Sequence, residues 1–503
     1  MNALAGKNIL VLGLGESGLA LARWCNRSGA QVTVADTRPA PPQLGALQAT
    51  LPAVRFVSGP MDGSILDSSQ FDLVLLSPGL SPAAVSGVTA VARAREIPCN
   101  NELGLFAQAL ADLQKSDAYF PQVIGITGTN GKTTVTALTG QLVERAGKSV
   151  AVAGNIGPTL LGTLADRLDA AQSVVAVLLP EVWVLELSSF QLDGAANFEP
   201  TAACVLNISQ DHLDWHGTMQ AYAAAKAKVY GSTGQMLLNR NDPLVMASVP
   251  TAVKGTPLRS YLTFGSDMPD RPGDYGIETT NGMAWLVRAQ AADEPAKKGK
   301  GEAPVLAFQR LMPQAALRIH GIHNATNALA AMALATAAGC QLAPMLHGLR
   351  DYRGEPHRVE SVAVLGGVEY FDDSKGTNVG ATVAALAGLG SDRRLVLILG
   401  GEGKGQDFSP LHGAVGRYAR AAVLIGRDAE SIRSALQGCA AELHGAGSMQ
   451  DAVTLAASLA QPGDAVLLSP ACASFDMFAN YEHRAQVFCA AVHAIAEEQG
   501  AVL

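Results

Sequence analysis

The sequence predicts an α/β protein of three domains, each built on a mostly parallel sheet, and three observations carry that prediction. Short apolar runs rich in Val, Ile and Leu alternate with helical stretches along the chain, as parallel strands joined by crossover helices do. Several runs end in Gly-rich or Ser-rich turns, the places where open α/β sheets keep their ligand loops. A length of 503 residues with 48% hydrophobic content suffices for roughly three cores. Composition also excludes partners. A net charge of -8 with 16% charged residues leaves no basic stripe to track a nucleic-acid backbone. The seven cysteines, at 25, 99, 204, 340, 439, 472 and 489, form no C-x-x-C pair, which predicts reduced thiols and a cytoplasmic protein. No apolar run approaches the ~18 residues of a membrane span. The start, "MNALAGKNILVLG", enters a strand at once without a signal-peptide pattern, so a soluble chain is expected.

The first segment, "KNILVLGLGESGLALARWCNRSGAQVTVADTR", reads as strand, tight glycine turn, helix ended by Gly29 and a second strand finishing at Asp36. Gly13, Gly15 and Gly18 form G-x-G-x-x-G, and Asp36 lies where an acid would meet a ribose hydroxyl, so this βαβ unit taken alone suggests a dinucleotide such as NAD. The same turn suits any nucleotide-like ligand, and Glu16 beside the phosphate position disfavours an anion mildly. A later strand, "FDLVLLSPG", opens a second loop at Ser77 on the same edge.

The second segment starts near Asn100 and carries "VIGITGTNGKTTVTAL", a β-branched stretch running through a Gly-rich turn into a helix. Such a turn leaves backbone N–H groups unpaired at a helix N-terminus, where the helix dipole favours an anion. Lys132 adds a positive charge and Thr133 a hydroxyl for a nucleotide-bound Mg²⁺. Strict P-loop spacing fails, because Gly125 comes one residue early and Ile126 stands where glycine is required, so this is a variant phosphate loop. Further strands are expected at "SVAVAG", "VWVLELSS", "AACVLNI" and "QMLLN". Glu186 ends the second of these at the carboxyl edge, where it could hold Mg²⁺. His212 follows the third in "NISQDHLDWHG", among Asp211, Asp214 and His216, a cluster that alone reads more often as a polar loop than as a metal site. "AYAAAKAKVY" spaces Tyr222, Lys226 and Tyr230 along one helix face. The Ala-rich helix "HGIHNATNALAAMALATAAG", closed by Gly339, carries Asn324 and Asn327 near its start, where asparagine also serves as a cap. Two stretches read as insertions, "QSVVAVLLPEVW" and "RAQAADEPAKKGKGEAP" at 288–304. The second, Ala/Lys/Glu/Pro-rich without a period, is expected to be a mobile surface loop.

The third segment follows "YRGEPHR", with strands at "LVLILGG", "AAVLIG" and "AVLLSP". "EPHR" supplies His357 and Arg358, the latter suited to bidentate phosphate contact. Asp373, Lys375 and Thr377 come from "FDDSKGTN", Lys404 from "GGEGKG", and Ser474, Tyr481 and Arg484 from "LLSPACASFDMFANYEHR". Loops presenting lysines and hydroxyls suit a small anionic substrate.

With these residues in view the chain resembles the Mur ligases, and among them the branch that adds D-glutamate. The likeness is carried, in order, by "GITGTNGKTT", "GNIG", "LELSSFQL", "DHLDWHG", "AAAKAKVY", "HNATNALAA", "EPHR", "DDSKGTN", "GGEGKGQDFSPL" and "LLSPACASFD", and covers almost the whole chain outside the insertions. The resemblance implies an N-terminal Rossmann-like domain for UDP (1–100), a central P-loop-type ATPase (101–353) and a C-terminal Rossmann-like domain for the amino acid (354–503). It replaces the NAD reading. By resemblance, Gly15, Glu16, Ser17, Asp36, Thr37, Arg38, Ser77 and Asn155 bind the UDP-substrate. Gly128, Thr129, Asn130, Gly131, Lys132, Thr133 and Thr134 hold ATP, together with Asn324, Asn327, Arg358 and Asp373. Thr133, Glu186, His212 and Lys226 serve two Mg²⁺ ions, with Lys226 as a carbamate because an ammonium beside Mg²⁺ would be repelled. Lys375, Thr377, Lys404, Ser474 and Tyr481 surround D-glutamate. Lys132, Glu186, His212 and Lys226 carry catalysis. The implied partners are UDP-N-acetylmuramoyl-L-alanine, D-glutamate and ATP, used by a monomer in peptidoglycan synthesis. Two departures are the doubled acid at Asp372 and a tyrosine at 481 in place of the frequent phenylalanine. The alternatives are a sister ligase adding another amino acid, a nicotinamide dehydrogenase, which leaves the second loop unexplained, and a nucleotide-binding regulator without catalysis.

Overall fold

Three sheets organise the chain in the computed structural model, which describes residues 2–172, 178–251, 258–292, 305–391 and 393–501. The first sheet comprises β1 (Asn8–Leu12), β2 (Gln31–Asp36), β3 (Arg55–Ser58), β4 (Leu73–Leu76) and β5 (Cys99–Asn101) in the order β3-β2-β1-β4-β5. All its pairings are parallel. Residues 9–12 of β1 are fully buried, as a strand covered on both faces requires. The order reverses beside β1, so the loops after β1 and β4 border the crevice where such sheets bind ligands.

The second sheet has β6 (Gln122–Thr127), β7 (Val150–Gly154), β8 (Val182–Glu186), β9 (Ala202–Val205), β10 (Gln235–Asn239), β11 (Tyr261–Phe264), β12 (Tyr275–Thr280), β13 (Met283–Ala291) and β14 (Leu306–Pro313). Their order is β14-β13-β12-β11-β10-β9-β6-β8-β7. From β7 to β12 the pairing is parallel; β13 and β14 add an antiparallel edge. The Ala-rich helix Ile322–Ala337 is buried along most of its length against this sheet and the helix Lys132–Arg145.

The stretch expected to loop out from 288 is corrected here. Arg288 to Ala291 finish β13 and pair with Gln309 to Leu306 of β14. An edge ladder is held by backbone groups, so its polar side chains gave no strand signal. Ala292 N–H donates to Val305 O (2.9 Å), closing the neck of this hairpin; residues 293–304 lie outside the described residues. Of the other expected insertion, 173–177 lie outside them too, while Val182 and Trp183 begin β8, and the Trp183 ring meets Phe106 edge-on at 5.1 Å.

The third sheet has β15 (Glu360–Leu365), β16 (Val368–Asp372), β17 (Leu395–Gly400), β18 (Ala419–Ile425), β19 (Glu442–Gly445) and β20 (Ala465–Leu468), ordered β15-β16-β20-β17-β18-β19. Only the β15–β16 hairpin is antiparallel. The expected class, three α/β units with mostly parallel sheets, is the one observed. No helix among the described residues is long and apolar enough to cross a membrane.

The first sheet's turn leaves no room at Gly18, where a Cβ would lie 1.9 Å from Gly13 O. Gly18→Ala is therefore expected to destabilise the N-terminal domain by roughly 2–4 kcal/mol. Urea unfolding of the ligand-free protein measures this, and a midpoint equal to the parent's would refute it.

Candidate active site

The phosphate loop follows β6 and is shaped by two left-handed-side glycines, Gly128 (φ 157°) and Gly131 (φ 83°), the latter preceding the first helical residue, Lys132. At Gly131 a Cβ would lie 2.8 Å from Asn327 Oδ1, so the bare glycine lets the Ala-rich helix reach the loop. Asn207, just after β9, holds the loop backbone. Its carbonyl accepts from Thr129 N–H (2.9 Å), its Oδ1 accepts from Asn130 N–H (2.8 Å), and its Nδ2 donates to Asn130 O (3.0 Å). Lys132 Nζ folds back to donate to Gly128 O (3.0 Å) and Thr129 O (2.9 Å), with its pKa lowered by burial.

Glu186 closes β8 beside this loop and is buried. Its Oε1 accepts from Asn155 Nδ2 (3.0 Å), whereas Oε2 is buried without a hydrogen-bond partner. An orphaned carboxylate oxygen in a cleft lined also by Thr133 and His212 fits a hard cation such as Mg²⁺. His212 has left-handed backbone (φ 53°); its ring lies 4.7 Å from that of Phe190, and burial lowers its pKa. Lys226 is fully buried, donates to Gly128 O (2.7 Å), and stands 4.6 Å from the centroid of Tyr222. Burial, then Lys132, drives its pKa well down. Tyr222 lies 3.3 Å from Thr129 Oγ1. The expectation of one face through Tyr230 is corrected: the α-helix stops at Ala227, a 3₁₀ turn spans Lys228–Tyr230, and the Tyr230 hydroxyl accepts from Val205 N–H (3.3 Å) in the core.

Arg358 crosses from the third segment to the phosphate loop, where its guanidinium donates to Thr133 Oγ1. It is delivered by a strained turn, since His357 (φ 62°) and Val359 (φ 52°) are both left-handed. Lys375 faces the same space, 3.5 Å over the Tyr481 ring; burial, then Arg358, lowers it to about 8. Thr377 and Lys404 line the cleft of about 330 Å³ that contains Lys132, Glu186 and His212. Ser474 is buried at the turn after β20 and accepts through its carbonyl from Phe478 N–H (2.8 Å). A neighbouring cavity of about 340 Å³ takes in Asn130, Gly131, Thr134, Asn324, Asn327, Arg358 and Asp373. Neither asparagine caps its helix: Asn324 Nδ2 donates to His320 O (2.9 Å) and Asn327 Nδ2 to Asn324 Oδ1 (3.2 Å).

In the first sheet, a third cavity of about 350 Å³ is lined by Gly15, Glu16, Ser17, Arg38, Ser77 and, from the second sheet, Asn155. Ser77 Oγ donates to Gly13 O (3.0 Å). Asp36 is engaged already. It accepts from Leu14 N–H (2.8 Å) and takes Arg38 in a two-point ion pair, which holds its pKa at about 2. Thr37 is exposed beside them. Asn155 lines both this cavity and the Lys132 cleft, so the two are contiguous at its side chain.

The structure adds Asn207, Asn378 and His323 to the residues expected. Asn207 ends the apolar run "AACVLN", so a polar residue at a strand's carboxyl edge was its signal. His323, with Nδ1 buried and unpartnered and its pKa lowered to about 4 by burial, had none beyond its place in "HNATN".

A cleft between the second and third α/β units, contiguous at Asn155 with a cavity of the first, defines a multidomain protein suited to nucleotide-like ligands, and comparison with known proteins identifies the family. Residues 7–98 match the model described as Mur ligase MurD-like, N-terminal domain; 126–335 the Mur ligase middle domain; and 357–472 the Mur ligase, glutamate ligase domain. The chain is 64% identical over 505 residues to a UDP-N-acetylmuramoylalanine–D-glutamate ligase of Albidiferax ferrireducens, covering 100% of this chain and 99% of the relative. It is 56% identical over 508 residues to the protein of that name from Cupriavidus pinatubonensis, with 98% of each covered. Among solved structures, UDP-N-acetylmuramate–alanine ligase from Thermotoga maritima shares the fold at TM-score 0.55 and 19% identity, over 97% of this chain and 99% of that one. MurF from Acinetobacter baumannii does so at 0.53 and 18%, over 93% and 88%. The chain belongs to the Mur ligase family.

Asp373 yields a pH prediction. It is buried, accepts from Ser469 Oγ (2.6 Å), and burial pushes its pKa up to about 7. A carboxyl whose folded pKa is raised contributes stability that is complete below the unfolded pKa and lost as pH climbs through the folded one, here from about 4 to 7. Asparagine does not titrate. The melting temperature of nucleotide-free Asp373→Asn, relative to the parent, should therefore rise between pH 5 and pH 8, the underlying stability difference changing by at most about 1.4 kcal/mol per pKa unit. A pH-independent difference would refute the assignment.

Proposed function

We propose that this chain is an ATP-dependent ligase that forms an amide bond between the L-alanyl carboxylate of UDP-N-acetylmuramoyl-L-alanine and the amine of D-glutamate. It works as a cytoplasmic monomer in peptidoglycan precursor synthesis. The observation that carries this reading is the shared cleft, where the phosphate loop, Glu186 and the lysine loops of the third sheet meet within one chain. Full-length relatives bearing that activity's name support it. The proposed division of labour is UDP recognition in 1–100, phosphoryl transfer in 101–353 and amino-acid binding in 354–503.

A carboxylate is a poor acceptor for an amine, so it must first be activated. One carboxylate oxygen attacks the γ-phosphorus of ATP, the bond to the β-phosphate oxygen breaks, and ADP leaves with that electron pair. The acyl phosphate formed is then attacked at carbon by the D-glutamate amine, which loses a proton as inorganic phosphate departs. The first step brings two anions together. Lys132, released from its two carbonyl partners, and Arg358 would offset that repulsion at the transferring group. Mg²⁺, held by Thr133, Glu186, His212 and Lys226 at two sites, would neutralise charge on the phosphates and carboxylate. Asn324, Asn327 and Asp373 would seat the nucleoside, and Gly15, Glu16, Ser17, Asp36, Thr37, Arg38, Ser77 and Asn155 the UDP-substrate. Lys375, Thr377, Lys404, Ser474 and Tyr481 would hold D-glutamate, with its amine facing the acyl carbon. Joining the three units over the cleft excludes water from the acyl phosphate.

Lys226 requires a chemical change to serve there. A buried amine flanked by Lys132 is disfavoured as an ammonium. The neutral amine adds CO₂, forming an N–C bond and releasing one proton, and the carbamate is an anionic ligand. Tyr222 covers it from one side.

Two measurements test the reading. ADP formation should require the UDP-substrate and D-glutamate together, and equal rates with L-glutamate or a diamino acid would overturn it. Lys226→Ala should lose at least ~10²-fold in kcat, with part of the rate returned by added acetate; a fully active variant would remove Lys226 from the mechanism.

A further inference from the structure

We infer that Asn378 is a positioning residue that couples the ATP and D-glutamate sites, by fastening the phosphate loop to the amino-acid loop through reciprocal side-chain amide hydrogen bonds. The inference rests on the function proposed above, which assigns those two ligands to the two loops.

Asn378 follows Thr377 at the end of "DDSKGTN" and is the N-cap of the helix Val379–Leu389, its Oδ1 accepting from Ala381 N–H at 2.9 Å. That bond fixes which end of the amide is oxygen. Its Nδ2 is thereby aimed at Asn130 in the phosphate loop and donates to Asn130 Oδ1 at 3.0 Å, while Asn130 Nδ2 donates back to Asn378 Oδ1 at 3.3 Å. Both partners are held on their far sides. The Asn130 backbone is fixed by Asn207 at N–H and C=O, so the side chain that meets Asn378 leaves from a fixed point of the loop, and Asn378 engages both ends of its amide. Val379 N–H donates to Gln406 Oε1 (3.1 Å), which ties the capped turn to the loop that carries Lys404.

The close approach has a second requirement. Gly380, in the first turn of the capped helix, stands where a Cβ would lie 2.9 Å from Ser209 Oγ and 3.2 Å from Asn130 Nδ2. A bare backbone there allows the two amides to meet. Neither amide titrates, so the junction holds no proton to gain or lose as pH changes. A ligand that orders one loop therefore lowers the cost of ordering the other, and the effect must be reciprocal.

The test is calorimetric titration of D-glutamate into protein saturated with UDP-N-acetylmuramoyl-L-alanine, with and without a non-hydrolysable ATP analogue, and the reverse titration. In the parent, the analogue should tighten D-glutamate by ~5-fold or more, and D-glutamate should tighten the analogue equally. Asn378→Asp keeps the capping oxygen but replaces the donor with a second oxygen facing Asn130 Oδ1. Its melting temperature should stay near the parent's while the coupling factor falls towards one. Gly380→Ala removes no polar group and should also lower the factor; it carries the test if Asn378→Asp fails to fold. A parental factor of one, or parental coupling retained in the folded variants, overturns the inference. Failure of the parent to bind D-glutamate or the analogue at all would instead overturn the proposed function.

Discussion

A Gly-rich turn can present its N–H groups to an anion only while its own backbone is restrained, and here the restraint comes from Asn207. Three hydrogen bonds between 2.8 and 3.0 Å run from that one residue to Thr129 and Asn130. They join the ends of two neighbouring parallel strands, β6 and β9, whose register sets Thr127 opposite Val205. Sheet geometry is thus passed directly into loop geometry. The contacts of Lys132, Lys226 and Asn130 all start from carbonyls or amides of this turn, so each depends on the same restraint.

The cleft sets four cations, Lys132, Arg358, Lys375 and Lys404, against four carboxylates, Glu186, Asp211, Asp214 and Glu402. Lys132, Lys226, Lys375 and Arg358 crowd around Glu186 and Asp211, and the three lysines all have lowered pKa values, with burial as the largest cause. Lys132 and Lys226 compensate by donating to phosphate-loop carbonyls, both of them to that of Gly128. A polyphosphate would offer those amines an anionic partner in place of the carbonyls. An amine stripped of water at low dielectric gains more from an anionic partner than a hydrated one does, so these buried lysines favour a polyanionic ligand.

Much of this was legible in the residues. The strands after which the loops open are apolar and end in Gly, Ser or a single carboxylate, and a carboxylate closing a fully apolar strand, as Glu186 does, cannot easily be a core residue. What stayed hidden has physical reasons. β13 and β14 form an antiparallel ladder at the edge of the sheet, held by backbone pairing, so their Arg- and Gln-bearing sequence carries little hydrophobic period. Tyr230 was placed by assuming 3.6 residues per turn to the end of a helix that tightens into a 3₁₀ turn first. The Asn130–Asn378 junction joins positions 248 apart in sequence and cannot be found by spacing. Lys132, Thr133 and Glu186 take their roles from the loop and strand-end pattern, whereas the roles of Lys226 and of the residues set around D-glutamate follow only from resemblance to a family.

The antiparallel edge of the second sheet sits at the end opposite β7, with the phosphate-loop strand β6 in between. Its hairpin is already closed by the pairing of β13 with β14 and by the Ala292–Val305 bond at the neck. Segment length beyond that neck enters the folding free energy only logarithmically, at about 0.6 kcal/mol per doubling. The position is therefore a natural port for grafting: an epitope, a reporter or a tether placed between 292 and 305 would hang from a finished ladder, five strands away from the loop on which the chemistry depends.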